Sequence, residues 1–491
     1  MNLFELLKAV APELIVTAGA FLVLLVDLAF MRGHEIKRRL AVSGGVACLA
    51  CLAAIVWISQ SSGTANLPML SLTPLTQLIK QVLIGLTIFT IIVSLNAKFT
   101  THVGEYFAIL LLAAVGLMLL VSSENLLMIF VALELVSLSL YALSAFNKAS
   151  LASAEAALKY FFFGGMSAAF TLFGISLIYG LTGHTELGAI AAAMKAQSVE
   201  PVFYVALVMT LIGFAFKIAA APLHLWVPDT YYAAPTPIAA FIASGSKVGC
   251  FFVLARILIQ GFESNHGSAA WQQFVSGWMP VIAVLALASM LLGNIAAIAQ
   301  TSVKRILAYS AIAQAGYALL ALFAHEQRAM ASLLYFVITY AITVLGSLAV
   351  VSIVENSGSR DRLTDFAGLS RRAPVLSGCM LIFILSLAGI PPLAGFFGKF
   401  YVFTSAAGAA KDLGMLWLVI AAVGASAISL YYYLQILKQI YVADAPVSPT
   451  AIQTPVFAGI GIVVLAAAVV VLGCAPDLLL DKILAAINSV G

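Results

Sequence analysis

The sequence predicts an all-α integral membrane protein of about fourteen transmembrane helices, and three observations carry that expectation. Of its 491 residues, 63% are hydrophobic and 9% are charged, with a mean hydropathy of +1.10, whereas soluble domains carry about 25% charged residues. The apolar residues gather into fourteen stretches, each near the roughly 20 residues that cross a hydrocarbon core of about 30 Å. The loops are short, the longest polar stretch being ENSGSRDRLTDFAGLSRR at 355–372. Residues 1–491 therefore read as a single polytopic membrane domain.

Three spans, centred near residues 19, 50 and 85, fill residues 1–100. Met1–Lys8 carries Glu5 and runs into a full-length span, so no cleaved leader is expected and the first helix stays. The second span holds Cys48 and Cys51 as C-x-x-C, but no second Cys/His pair stands nearby to complete a metal site. The five scattered cysteines read as packing thiols. Spans centred near 113, 136, 170, 211 and 248 form a five-helix half over residues 105–260. Those near 289, 312, 341, 390 and 427 form a second half over 278–441. A fourteenth, near 464, lies between Pro455 and Pro476 and fills 454–474.

Loop charge orients this bundle. Connections after odd-numbered spans hold thirteen basic residues, among them Arg32, Lys37, Lys98, Lys148, Lys304, Arg360 and Arg371; those after even-numbered spans hold four, Lys195, Arg256, Arg328 and Lys411. The positive-inside rule places the odd loops in the cytoplasm and both termini on the periplasmic side. The net charge of +4 is dispersed rather than collected on one face, so no nucleic-acid partner is expected. No G-x-G-x-x-G, Walker loop or haem motif appears, so no nucleotide or redox cofactor is expected in this chain.

Two spans are interrupted. The seventh reads VFYVALVMTLIGFAFKIAAAPLHLWVPD, with Pro222 and Pro228, and the twelfth reads SGCMLIFILSLAGIPPLAGFFGKFYVF, with Pro391 and Pro392. Proline removes a backbone donor and clashes with the preceding turn. The freed carbonyls survive in a membrane only where protein or a wet cavity covers them. Paired broken helices in two halves of a transporter point to its ion sites.

Four charges fall deep in these spans: Glu134, Lys217, Lys247 and Lys399. At roughly 2.5–3.5 kcal/mol each on insertion scales, the set costs on the order of 10–14 kcal/mol, about the net stability of an ordinary protein. Glu134 lies nine residues past Asn125, and Lys247 lies ten past Pro237, depths of about 13 and 15 Å at a rise of 1.5 Å per residue. Lys217 precedes Pro222 by five residues, and Lys399 follows Pro392 by seven. Low dielectric disfavours an ammonium without a counter-ion, so a buried lysine gives up its proton more readily than one in water. Arginine does not deprotonate, and none of the four is arginine. The set reads as a proton relay in which a movable Glu134–Lys217 pair loads and releases the first lysine. Lys159 and His224 are secondary candidates. Asp229 reads as a turn or cap residue, Glu124, Arg256 and Glu355 as boundary charges, Lys304 and Arg305 as cytoplasmic anchors, and Gly164 and Gly165 as packing glycines.

The run PLHLWVPDTYYAAPTPIAAFIASGSKVG (222–249) resembles a signature of the antiporter-like membrane subunits of respiratory complex I, relatives of the large Mrp-type antiporter subunits. SLAGIPPLAGFFGKFYVF (386–403), QTSVKRILAYSAIAQAGYAL (300–319), EAALKYFFFGG (155–165) and SLYYYLQILKQIY (429–441) extend the resemblance over most of the chain. Within the family, lysine in GFFGKFYV and a stop after fourteen spans are similar to the N-type subunits of NADH:quinone oxidoreductase. The resemblance implies two inverted five-helix repeats around broken helices seven and twelve. It implies that Glu134 and Lys217 form the coupling pair, Lys247 the central relay and Lys399 the exit-side group. It implies a proton-translocating subunit in the bacterial cytoplasmic membrane, with NADH, FMN, iron–sulfur clusters and quinone in partner subunits and none bound here. One departure is Gln314, where relatives often carry histidine. The competing readings are an Mrp-type sodium/proton antiporter subunit, a membrane-bound hydrogenase subunit, and a scaffold whose buried charges only fix helix register.

Overall fold

The computed structural model describes residues 7–60, 65–66, 69–196, 201–324, 326–358, 361–409, 413–444 and 452–489. Glu5, Arg360 and Lys411, which entered the readings of the first span and of the loop charges, lie outside the described residues. The spans follow in order as α1 (Ala11–Met31), α2 (Ile36–Gln60), α3 (Pro74–Ser94), α4 (Val103–Ser122), α5 (Leu126–Ser144) and α6 (Leu151–Thr182). Next come α7 (Pro201–Ile218, resumed as Trp226–Ala233), α8 (Thr236–Gly261), α9 (Trp278–Ile298), α10 (Val303–Phe323) and α11 (Glu326–Asn356). α12 comes as two halves, Pro374–Ala388 and Ala394–Ala407, before α13 (Leu416–Tyr441) and α14 (Val456–Cys474). Among the described residues thirteen helices are individually long and apolar enough to cross a membrane, and the halves of α12 together supply the fourteenth crossing. The chain is an all-α, multi-pass membrane protein.

Local chemistry sets the ends of the spans. Thr73 and Thr76 form a reciprocal cap on α3, with Pro74 in its first turn. The Asn125 side chain accepts from the Leu127 and Met128 amides at the start of α5. Ser150 and Ser302 do the same for α6 and α10, accepting from Ser153 and Arg305. Each such cap is worth roughly 1 kcal/mol. α8, α10 and α11 are buried almost throughout, whereas α1, α2 and α6 bury one face and leave the rest exposed.

The breaks in α7 and α12 are built alike. Ala219 and Gly389 both take positive φ, 68° and 87°. The next amide reaches back five residues in each, Ala220 to the Ala215 carbonyl at 2.8 Å and Ile390 to the Leu385 carbonyl at 3.0 Å. Each break then passes a cis X-Pro bond, at Pro222 and at Pro392. The stranded donors find side chains: the Ala221 amide donates to Ser289 Oγ at 2.8 Å, and the Gly395 amide to Ser386 Oγ at 3.1 Å. The shared pattern A-x-x-P-L and G-x-P-P-L stands in the sequence at 219–223 and 389–393.

Charges that the sequence reading passed over pin the first three spans. Lys80 of α3 lies 2.6 Å from Glu13 of α1, both buried. Asp27 of α1 accepts from Arg39 Nε and Nη2 at 2.8 and 2.6 Å and from the Gly104 amide at 2.9 Å, tying α1 to α2 and α4. Removing one partner of a buried pair costs about 3–5 kcal/mol, whereas replacing both with apolar groups is often neutral. Lys80→Met is therefore expected to lower the thermal midpoint of the detergent-solubilised protein, and Glu13→Leu/Lys80→Met to recover most of the loss. A single variant as stable as the parent would contradict the pair's role.

Candidate functional site

Lys217 closes the first half of α7, two residues before the break at Ala219, with only 7% of its surface exposed. Its Nζ donates to Tyr141 Oη on α5 at 3.5 Å and faces the rings of Tyr141, Tyr160 and Phe216 at 5.1, 5.4 and 5.2 Å. Ring faces attract a cation by roughly 0.5–2 kcal/mol each, so an aromatic cage takes the place of a counter-ion. Trp226, from the H-L-W-V-P-D run, holds the cage: it stacks on Tyr160 at 4.1 Å and donates Nε1 to the Phe216 carbonyl at 3.1 Å, across the break. Glu134 is half-buried on α5 and makes no ion pair among the described residues. Its charge still reaches Lys217. Ser137 and Tyr141 follow Glu134 at three and seven residues, on one helix face, so the carboxylate and the hydroxyl that meets Lys217 share that face. The pair is separated here, one of the two arrangements a switch requires.

Gly164 explains how Tyr141 reaches this place. A Cβ at Gly164 would sit 1.7 Å from the Tyr141 hydroxyl oxygen, so only glycine lets α6 admit it. Read from sequence as general packing, this glycine serves one side chain.

Lys247 follows a π turn, Ile242–Ser246, in the wholly buried α8. Such turns often occur at functional sites. Its Nζ donates to the Ala311 carbonyl of α10 at 2.6 Å and lies 5.4 Å from the Tyr340 ring of α11. Cys250 lies one turn beyond on α8, buried like Lys247. Lys399 sits in the second half of α12 and reaches back over the break. Its Nζ donates to the Ala388 carbonyl at 3.0 Å and to Ser426 Oγ of α13 at 2.9 Å, with the Tyr317 ring at 5.2 Å. The C-terminal carbonyls of a helix carry partial negative charge, so the break supplies an acceptor for this cation. Among the described residues, neither Lys247 nor Lys399 has a carboxylate within ion-pair distance.

The two sites are joined by polar groups that the sequence reading left unassigned. Tyr340, beside Lys247, also lines a cavity of about 10 Å³ with Gln314, Thr339, Thr343, Ser386 and Lys399. That volume is about what one water needs. The Tyr340 hydroxyl is buried without a hydrogen-bond partner. Gln314 donates to the Leu387 carbonyl at 3.1 Å and to Tyr433 Oη at 3.3 Å, and Tyr433 also bonds Ser310. Tyr432 donates to Asn294 at 2.9 Å, and Asn294 donates to Tyr317 at 2.9 Å, behind Lys399. Gln314 thus stays inside the polar seam despite lacking a titratable ring.

Lys159 and His224 do not join this seam. Lys159 is 42% exposed and sits 2.8 Å from Glu155 and 2.9 Å from Asp229. His224 is half-buried at the α7 break, its Nδ1 outside any hydrogen bond. Asp229, read as a cap, also pairs with Arg305 at 3.1 Å. Two further readings change: Lys304 is buried and lies 2.7 Å from Glu355, which also bonds Thr236. Arg256 is buried as well, donating to the Val121 and Ser123 carbonyls at 3.0 and 3.4 Å. Long side chains at helix ends were expected to reach outward; here acids and free carbonyls hold them in.

Chemically, the seam offers amines held by neutral oxygens and ring faces, hydroxyls able to accept and donate, and room for water. Such a set has the donors and acceptors to hand protons on. Comparison with known proteins gives the same setting. Residues 123–429 match the family model described as NADH:quinone oxidoreductase/Mrp antiporter, transmembrane. NADH-quinone oxidoreductase subunit N 2 of Acidobacterium capsulatum is 49% identical, over 97% of this chain and 98% of its own. A chain of respiratory complex I from Thermus thermophilus, solved with bound aureothin, is 31% identical at TM-score 0.77, covering 96% of this chain and 98% of its own. A chain of the Mrp complex of Dietzia shares the fold at TM-score 0.82 with 20% identity, covering 98% and 97%. Shape alone does not separate the two kinds of complex; identity does.

Tyr141→Phe keeps the ring and removes the hydroxyl. A hydrogen bond to a charged group is worth roughly 1.5–3 kcal/mol, so proton movement into proteoliposomes is expected to slow by about tenfold or more, with assembly intact. Gly164→Ala should act in the same direction by displacing that hydroxyl. Unchanged rates in both assembled variants would remove Tyr141 from the site.

Proposed function

The chain belongs to the NADH:quinone oxidoreductase/Mrp antiporter transmembrane family, and we propose that its buried lysines pass protons in the order Lys217, Lys247, Lys399, with Glu134 loading the first. It is a proton-translocating, antiporter-like membrane subunit of a bacterial NADH:quinone oxidoreductase, one chain of a multisubunit membrane complex. The observation that carries the relay is the neutral company of Lys247 and Lys399: one carbonyl for the first, a carbonyl and a hydroxyl for the second. A lysine held by neutral oxygens can lose its proton without stranding a buried carboxylate, so its two protonation states differ less in cost than those of an ion pair. Tyr340 and its cavity offer the step between them. When Glu134 approaches Lys217 the charged amine is favoured; when they part, the cage of rings holds the cation more weakly and the proton moves on.

The five-helix halves at 105–260 and 278–441 fit an inverted repeat, and the matched breaks of α7 and α12 support it. The loop charges favour odd loops in the cytoplasm and both termini in the periplasm. On that orientation, the ion-paired belt of Lys159, Asp229, Arg305, Lys304 and Glu355 marks the cytoplasmic rim. We assign NADH, FMN, iron–sulfur clusters and quinone to partner subunits. On that assignment the energy of the redox steps reaches this chain through contacts with the rest of the complex.

Replacing Lys247 or Lys399 with alanine is expected to leave assembly largely intact and to cut proton pumping and coupled quinone reduction at least tenfold. Lys→Arg at either position should impair transfer nearly as much, because arginine keeps its proton. Both readouts, taken on purified complex in proteoliposomes, separate the readings: full pumping with arginine would make these lysines structural cations.

A further inference from the structure

A cavity lies away from the relay, at the end of the bundle where α2, α4 and α14 begin and α3, α5 and α11 end. It encloses about 990 Å³ and is lined by Lys37, Lys98, Lys148 and His102, with no aspartate or glutamate in its wall. Lys37 and Lys148 make no ion pair among the described residues. Lys98 spends one donor on the Asn356 carbonyl at 2.8 Å, which leaves two of its three. His102 faces Glu105 at 3.3 Å. Below the amines the wall turns apolar, with Leu40, Val93, Phe146 and Ile353. Positive helix N-termini open on the same space.

We propose that this groove binds one anionic membrane phospholipid, its phosphate among Lys37, Lys98 and Lys148 and its acyl chains against the apolar floor. Basic pockets between spans at a membrane surface suit acidic lipid headgroups, and a soluble anion would gain nothing from the apolar half. The groove adjoins a second cavity of about 300 Å³ that shares Lys98 and Asn356 with it and reaches Thr236, Lys304 and Glu355 at the foot of α8. The headgroup therefore sits beside the rim that leads toward Lys247. The inference rests on the membrane placement of the spans and not on the lysine relay, so the two fail separately.

The test uses the whole complex, purified in mild detergent and exchanged into phosphatidylcholine nanodiscs doped with phosphatidylglycerol. Retained lipid is counted by extraction and mass spectrometry for the parent and for Lys37→Gln/Lys98→Gln/Lys148→Gln. Near a membrane surface each lysine changes anionic-lipid affinity about fivefold, so the triple variant is expected to lose one retained phosphatidylglycerol per complex. Equal retention in both forms would overturn the proposal. So would displacement of the lipid by millimolar inorganic phosphate, or a zero-length cross-link joining Lys98 to a carboxylate of a partner subunit in the untreated complex. If the triple variant fails to assemble, photoactivatable phosphatidylglycerol on the parent complex decides. Labelling of peptides bearing Lys98 and Phe146 supports the site, and labelling elsewhere only refutes it.

Discussion

An ammonium buried in oil must be paid for by something, and in this chain the compensation comes from neutral groups. Lys217 rests in three ring faces and one hydroxyl, Lys247 on one carbonyl, Lys399 on a carbonyl and a serine. Contrast the lysines that do have acids. Lys80 with Glu13 and Lys304 with Glu355 are locked at 2.6 and 2.7 Å, and a tight buried pair of that kind resists losing its proton because the acid would be left alone. The chain therefore holds two populations of buried lysine, one paired with acids and one held by neutral groups.

The broken helices make the second population possible. An unbroken helix spends its carbonyls on its own backbone and leaves acceptors only at its ends. By stopping α12 at Ala388, the chain brings a helix end into the middle of the span, where Lys399 and Gln314 use the Ala388 and Leu387 carbonyls. The α7 break works differently: it is closed by its own Trp226 and by Ser289 of α9, and the same tryptophan braces the rings around Lys217. Two similar backbone devices thus serve two ends of one seam, one by offering an acceptor and the other by shaping a cage.

Much of this was legible in the sequence. Span number, the two breaks and the four deep charges follow from apolar run length, proline position and the cost of charge in lipid. What stayed hidden depends on which helices face one another. Tyr141 is two turns from Glu134, a spacing that could have drawn attention to it, but its contact with Lys217 needs the α5–α7 packing and a glycine on α6. Tyr340, Asn294, Tyr432 and Tyr433 are uncharged, so no penalty marks them out; mid-span Asn294 and the SLYYYLQ run were the available hints. Lys304 and Arg256 misled for the opposite reason. Position near a helix end suggested a solvated anchor, while an acid of α11 and a carbonyl at the end of α4 hold them inside instead.

The seam between Lys247 and Lys399 is best tested by a map of the assembled complex sharp enough to resolve ordered water. Proton relay requires water bonded to the Tyr340 hydroxyl and within reach of Lys399 Nζ, in the space bounded by Gln314, Thr343 and Ser386. A seam that is dry in every state of turnover, with apolar packing sealing Tyr340 from Lys399, would contradict it.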